Sequence, residues 1–264
     1  RGSSRSFREK APARRRARGR GLRFRGAQAG HRRRPREPPR AAGARSDARQ
    51  ARRRTEGGPG GRGEGDPFVE RMIAEGFGVV TAEYRVSPQA KYPAYNEDAA
   101  AAVAWTIENI AEYGGDPTRL FVTGHLAGGY LTAITCLDDR HLSKFGHHIT
   151  EITGSIPTSG QMLTHFTIRK DKGIPIERPT IDEDAPLFYA HDVKMPMFLL
   201  VGGDDMAARV EENALMAAVC KKHEFDIEIL VVPGRDHGTI KDRYADPDDP
   251  AAAGILAFVR RLLS

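Results

Sequence analysis

Cysteine is nearly absent: Cys136 and Cys220 are the only two in 264 residues. They form no C-x-x-C pair and no Cys/His ligand spacing, which argues against a disulfide framework and a Cys-ligated zinc fold. Two reduced, structural thiols are expected. Long apolar runs are absent too, since no stretch approaches the roughly 18 residues of a membrane span. The N-terminal region carries charge without the apolar segment that a secretory signal needs. The default compartment is then the cytoplasm, although a chain that begins at Arg1 and not at Met leaves room for a lost leader. Aromatics are scarce where positive charge is densest, with only Phe7 and Phe24 in residues 1–66, so base stacking has little to work with there.

What is present is divided unevenly. The formal charge of +6 conceals a split, because residues 1–66 hold 22 basic side chains (21 arginines and Lys10) against 6 acidic ones. Of the totals of 41 and 35, this leaves 19 basic and 29 acidic for the remainder. The surplus therefore belongs to a tail of Arg, Gly, Ala and Pro that has no hydrophobic period and cannot build a core. Three readings of residues 1–65 stand side by side: GC-rich DNA translated out of frame, a plain disordered tail, and an arm for nucleic acid or an anionic surface. Nucleic acid is the least favoured partner. The 39% of apolar residues is enough for one α/β domain over residues 66–264.

From Pro67 onward, strand-like and helix-like stretches alternate, which implies a parallel sheet covered on both faces. The expected order is a short helix over 68–75 closed by Gly76, a strand over 77–84 (FGVVTAEY) and a long helix over 96–113 stopped by Gly114-Gly115. A buried strand over 120–123 (LFVT) then runs through Gly124 into a helix over 127–137. Further strands are expected at 152–156, 197–201 and 227–232, and helices at 211–222 and 251–263. Between the strands at 152–156 and 197–201 lies a Pro- and Lys-rich insertion over 161–195.

The strand-turn-helix at Gly124-His125-Leu126-Ala127-Gly128-Gly129 has the shape of a nucleophile elbow, G-x-S-x-G, with its middle residue changed. That turn presents a side chain at the tip of a strained backbone and aims the following N–H, here of Ala127, at a developing oxyanion. Downstream come Gly202-Gly203-Asp204-Asp205 at the end of a strand and Asp236-His237-Gly238 in a loop. The bland readings are an Asp-Asp helix N-cap before 207–222 and an exposed loop histidine. Against them stands the joint order of nucleophile seat, acid and histidine on strand ends, where α/β sheets place their sites. The remaining histidines, His147, His148 and His165 among them, have no ligand-like spacing and are assigned no metal.

Over residues 66–264 the chain resembles the α/β-hydrolases of the bacterial esterase and feruloyl-esterase-like type, related to the hormone-sensitive-lipase-like carboxylesterases. The resemblance rests on Tyr84-Arg85-Val86-Ser87-Pro88, Tyr92-Pro93, Glu97-Asp98-Ala99, Gly114-Gly115-Asp116-Pro117 and GHLAGG, where the family has GHSAGG. It implies a doubly wound, mostly parallel sheet with a small cap over 161–195, and Ser-His-Asp acyl transfer on a small-molecule ester without a cofactor. His237 would be the base. Asp205, three residues after Gly202, is preferred as the acid over Asp204, and Ala127 N–H would supply part of the oxyanion hole. Two departures follow: Leu126 occupies the nucleophile's seat, and Gly57-Gly58-Pro59-Gly60-Gly61 stands without a histidine where the family has its HGGG-type loop. The family's N-terminal strands are expected to be missing. One base change, TCG to TTG, turns a serine codon into leucine; equally, a degenerate homologue would keep the fold and lose catalysis. The expectation is an ester hydrolase by ancestry, inactive as written. The alternatives are a catalytically dead ligand-binding homologue and a module tethered by its basic arm.

Overall fold

The computed structural model describes residues 66–264; the basic tail and the stretch Gly57 to Gly61 lie outside the described residues. Four parallel strands form one sheet in sequential order: β1 (Phe121–His125), β2 (Gly154–Thr158), β3 (Met197–Asp204) and β4 (Ile227–Asp236). Helices α1 (Asp66–Ala74), α2 (Ala94–Asn109), α3 (Ala127–Leu137), α4 (Asp139–Leu142), α5 (Phe166–Asp171), α6 (Arg209–Lys222), α7 (Thr239–Asp242) and α8 (Pro250–Leu263) surround it. Parallel neighbours need crossovers, and here the crossovers carry the helices. Among the described residues no helix is long and apolar enough to cross a membrane.

The period-2 alternation of a strand divides β3 between two cores. Phe198 and Leu200 face a cluster with Ile156, Ile255 and Phe258, while Met197 and Leu199 face one with Leu137, Met216 and Cys220. Phe198 stacks on Phe258 with ring centroids 5.5 Å apart. Both cysteines are free and buried, and burial pushes the Cys136 thiol up to about 12.

One expected strand does not form. Residues 77–84 belong to no ladder, because no described strand lies beside them to accept pairing. Phe77 and Val79 instead pack against the core cluster of Ile255 and Phe258. The expected 96–113 helix is divided into α2 and a 3₁₀ turn, Ile110–Tyr113, ending at Gly114 with φ +85°. The strand expected at 152–156 begins two residues later, after a 3₁₀ turn over Ile149–Glu151.

The motif residues near the start of the domain act as braces. Arg85 grips Asp98 with Nε and Nη2, both at 2.8 Å, while its backbone N–H reaches the same carboxylate at 2.9 Å. Such a fork fixes the segment that enters α2. Asp116 Oδ1 accepts from Thr118 N–H and Oγ–H, closing the turn into β1. The 161–195 segment between β2 and β3 is tied down through Asp184, whose side chain is 1% exposed. It accepts from Tyr92 Oη at 2.5 Å and from Arg140 at 3.2 Å, and pairs with Lys172.

Candidate active site

At the C-terminal end of β1 the chain turns sharply into α3. Leu126 sits on that turn with φ +61° and ψ −119°, a conformation that a bulky residue adopts only under constraint. Its N–H donates to Thr158 O at 3.2 Å, and its carbonyl accepts from Tyr130 N–H at 3.1 Å. The turn is thereby clamped between β2 and the first turn of α3. Leu126 is half-buried and belongs to none of the described core clusters. The first N–H groups of α3, that of Ala127 included, have no partner within the helix.

The glycines that permit this turn are not quite the pair that the motif suggests. A Cβ on Gly124 would lie 2.5 Å from Gly128 O, and one on Gly129 would lie 2.4 Å from Thr158 O, whereas a Cβ on Gly128 meets nothing within 4 Å. Backbone cannot yield as a side-chain tip can. Gly129→Ala is therefore expected to cost about 2–4 kcal/mol in urea unfolding or to prevent folding. Gly128→Ala should be neutral or slightly stabilising by helix propensity. Equal effects of the two substitutions would contradict the close approach.

The acid and the histidine converge beside this turn. His237 Nδ1–H donates to Asp205 Oδ1 at 2.6 Å. The Asp205 side chain is fully enclosed, and burial pushes its carboxyl up. Hydrogen bonds from His237, Ser159 and Met206 N–H outweigh that and hold it below the usual range. With the Nδ1 proton committed to Asp205, the neutral ring presents a lone pair at Nε2. That atom is buried and has no hydrogen-bond partner among the described residues. Asp204 ends β3 in an exposed position. The N-cap reading of the acidic pair does not hold: α6 starts only at Arg209, after Ala208 at φ +66° with no side-chain cap. The His237 loop is itself pinned, because Asp236 Oδ1 accepts from Gly238 N–H and Thr239 N–H, while Arg235 pairs with buried Asp249 at 2.7 Å.

Two residues that sequence reasoning did not assign to the site touch this pair. Ser159, at φ +50° just past β2, donates Oγ–H to Asp205 Oδ2 at 2.5 Å, so both carboxylate oxygens are held. His125 donates Nε2–H to His237 O at 2.7 Å, tying the elbow to the histidine loop. Only their positions at strand ends hinted at a role. Thr123, by contrast, spends its hydroxyl on Ile156 O at 3.0 Å.

Burial lowers the pKa of His125 to about 4, against the raising effect of its bond to His237 O. The folded form therefore stays neutral while the unfolded chain takes up a proton below about 6.5. Stability contributed by His125 is complete above that value and is lost as pH falls from 6.5 toward 4, at roughly 1.4 kcal/mol per unit. His165, lowered to about 3 by burial and then by Arg209 and Arg169, acts in the same direction. Urea midpoints should therefore fall between pH 7 and pH 4.5, with a shallower fall in His125→Asn; a flat profile would contradict the buried neutral rings.

Comparison with known proteins follows the same lines. Residues 61–159 match the family described as BD-FAE. Esterase LipQ of Mycobacterium tuberculosis is 29% identical over 198 residues, covering 67% of this chain and 46% of that protein. The probable carboxylic ester hydrolase LipM of the same organism is 27% identical over 170 residues, covering 57% and 39%. The chain thus spans less than half the length of these two relatives. Among solved structures, a thermophilic esterase from Thermogutta terrifontis superposes with a TM-score of 0.61 at 22% identity, covering 78% of each chain. An esterase from Pyrobaculum calidifontis does so at 0.56 and 20%, covering 73% of this chain and 68% of the other.

Proposed function

We propose that the chain is an α/β-hydrolase of the hormone-sensitive-lipase-like esterase family, and that it binds a small carboxylic ester at the elbow but does not turn it over, because Leu126 occupies the seat of the nucleophile. Its ancestry is ester hydrolysis. In the ancestral reaction a serine at 126 attacks the acyl carbon, and His237 Nε2 takes the hydroxyl proton and later delivers it to the leaving alcohol. Asp205 holds the ring and stabilises its cation, and Ala127 N–H helps to receive the oxyanion. The 161–195 segment serves as a small cap over the site.

The observation that carries this reading is the buried, unpartnered Nε2 of His237 beside a retained Asp205 bond. The buried rings of His125 and His141 also have an unpartnered nitrogen; what sets His237 apart is that its other nitrogen is held at 2.6 Å by the enclosed Asp205 and that its loop is tied to the elbow through His125. Leucine offers neither a proton for that lone pair nor an electron pair for an acyl carbon. Ethyl butyrate should therefore raise the melting temperature of the chain in a dose-dependent manner, while proton NMR shows the ester signals undiminished after prolonged incubation. Release of butyrate by the chain as it stands, or the absence of any thermal shift at saturating ester, would overturn the reading.

A further inference from the structure

Arginine is seldom buried without a partner, yet Arg209 is 7% exposed and its guanidinium makes no hydrogen bond or ion pair with any described residue. Its Nε is fully enclosed and unsatisfied. Arg169, 6% exposed, has the same defect at Nε, although its Nη1 donates to Arg178 O at 2.5 Å. Both cations act on His165 and Glu212, and Arg209 acts on Asp205 as well. This puts the Arg209 charge between the acid loop, the first turn of α6 and the 161–195 segment. The one acid that both arginines share is already occupied, since Glu212 Oε2 accepts Met162 N–H at 2.9 Å. The carboxylates near the two buried cations, Glu212 and Asp205, are thus both already engaged in other hydrogen bonds.

The neighbourhood belongs to the site and not to a remote part of the core. Asn213, one turn along α6, donates to Gly160 O at 3.0 Å, and Gly160 follows Ser159, which holds Asp205. The His165 ring lies 5.1 Å from that of Tyr130, one turn beyond Leu126. Burying a guanidinium is costly unless something completes its hydrogen bonds, and its planar fork is matched by a carboxylate.

We propose that Arg209, supported by Arg169, forms an anion subsite beside the Asp205 loop, and that the ester this chain binds carries a free carboxylate, as in a half-ester of a dicarboxylic acid. This deepens the ester reading and rests on it for the identity of the second functional group.

The test compares monoethyl glutarate with diethyl glutarate, first as ligands of the full chain by NMR titration. The half-ester should bind at least about tenfold more tightly, the size of one charge-assisted interaction. Arg209→Gln should erase the difference, and Arg209→Lys should keep part of it. A thermal melt of each variant establishes folding, and the lysine variant carries the test where the glutamine variant does not fold. Equal affinity for the two esters, no binding of the half-ester up to tens of millimolar, or a preference that survives Arg209→Gln in a folded protein overturns the subsite. The same esters are then offered to Leu126→Ser. If that variant is inert while the Arg209-dependent preference in binding persists, the subsite stands and the hydrolase reading falls. If it hydrolyses both esters equally and Arg209→Gln changes neither rate, the subsite falls alone.

Discussion

Leu126→Ser is expected to raise the hydrolysis of p-nitrophenyl butyrate by the full chain by about 10⁴-fold or more, because loss of a triad nucleophile costs on the order of 10⁴- to 10⁶-fold. The corresponding barrier change is about 5–8 kcal/mol. The elbow does not have to be rebuilt for this gain. Leu126 already holds φ +61°, clamped by Thr158 O and Tyr130 N–H, so a serine there inherits the strained turn. Nor does the substitution excavate a core, since Leu126 is half-buried and outside the described apolar clusters. The new hydroxyl would find at His237 Nε2 a lone pair with no competing partner. Unchanged activity in a folded Leu126→Ser protein would mean that 126 is not the seat of the attacking atom.

In that background Asp205→Asn is expected to lower kcat by about 10⁴-fold with little change in KM. The amide keeps the shape of the carboxylate but presents a donor to Nδ1, which turns the ring to the tautomer whose Nε2 carries the proton. The enclosed side chain of Asp205 and its 2.6 Å bond leave the ring no alternative acceptor at that nitrogen. Asp204→Asn serves as the control and should change the rate by less than about threefold, because its exposed position cannot replace Asp205. Comparable losses in both variants would mean that the acid had been assigned to the wrong member of the pair. Ser159→Ala should fall between them, since it removes one of the bonds that hold Asp205 and leaves those from His237 and Met206 N–H.

Much of this arrangement was legible in the sequence because the relevant signals are local. Four of the five expected strands form the parallel sheet, although β1, expected to be buried, has no fully buried residue, and the step from LFVT through Gly124 into an apolar helix marked the elbow, including the bounds of α3. Leu126, Asp205 and His237 follow the ends of β1, β3 and β4 in the order expected. What was not legible depends on long-range pairing. Residues 77–84 have a strand's composition, but a strand exists only beside another, and no described neighbour is there. Ser159 and His125 are ordinary residues whose importance arises from what the sheet register brings near them: Thr158 pairs with Leu200, which carries Ser159 toward the acid loop. Gly129, and not Gly128, proved to be the second indispensable glycine, because the approach of β2 decides which Cβ is forbidden. Arg209 was invisible for the opposite reason. Position in a helix gives an arginine no sign that it will be enclosed without a partner.

The most direct measurement is intact-mass spectrometry after exposure to a fluorophosphonate, in which a serine oxygen bonds to phosphorus and fluoride leaves. It is applied to the chain as it stands, to Leu126→Ser, and to Leu126→Ser combined with His237→Ala. The expected result is no adduct on the first, a single adduct on the second mapped by peptide analysis to position 126, and labelling slowed by about 10³-fold or more on the third. An adduct on the unsubstituted chain, an adduct mapped elsewhere, or equal labelling rates with and without His237 would contradict the assignment of residue 126 as the nucleophile's seat and His237 as its base.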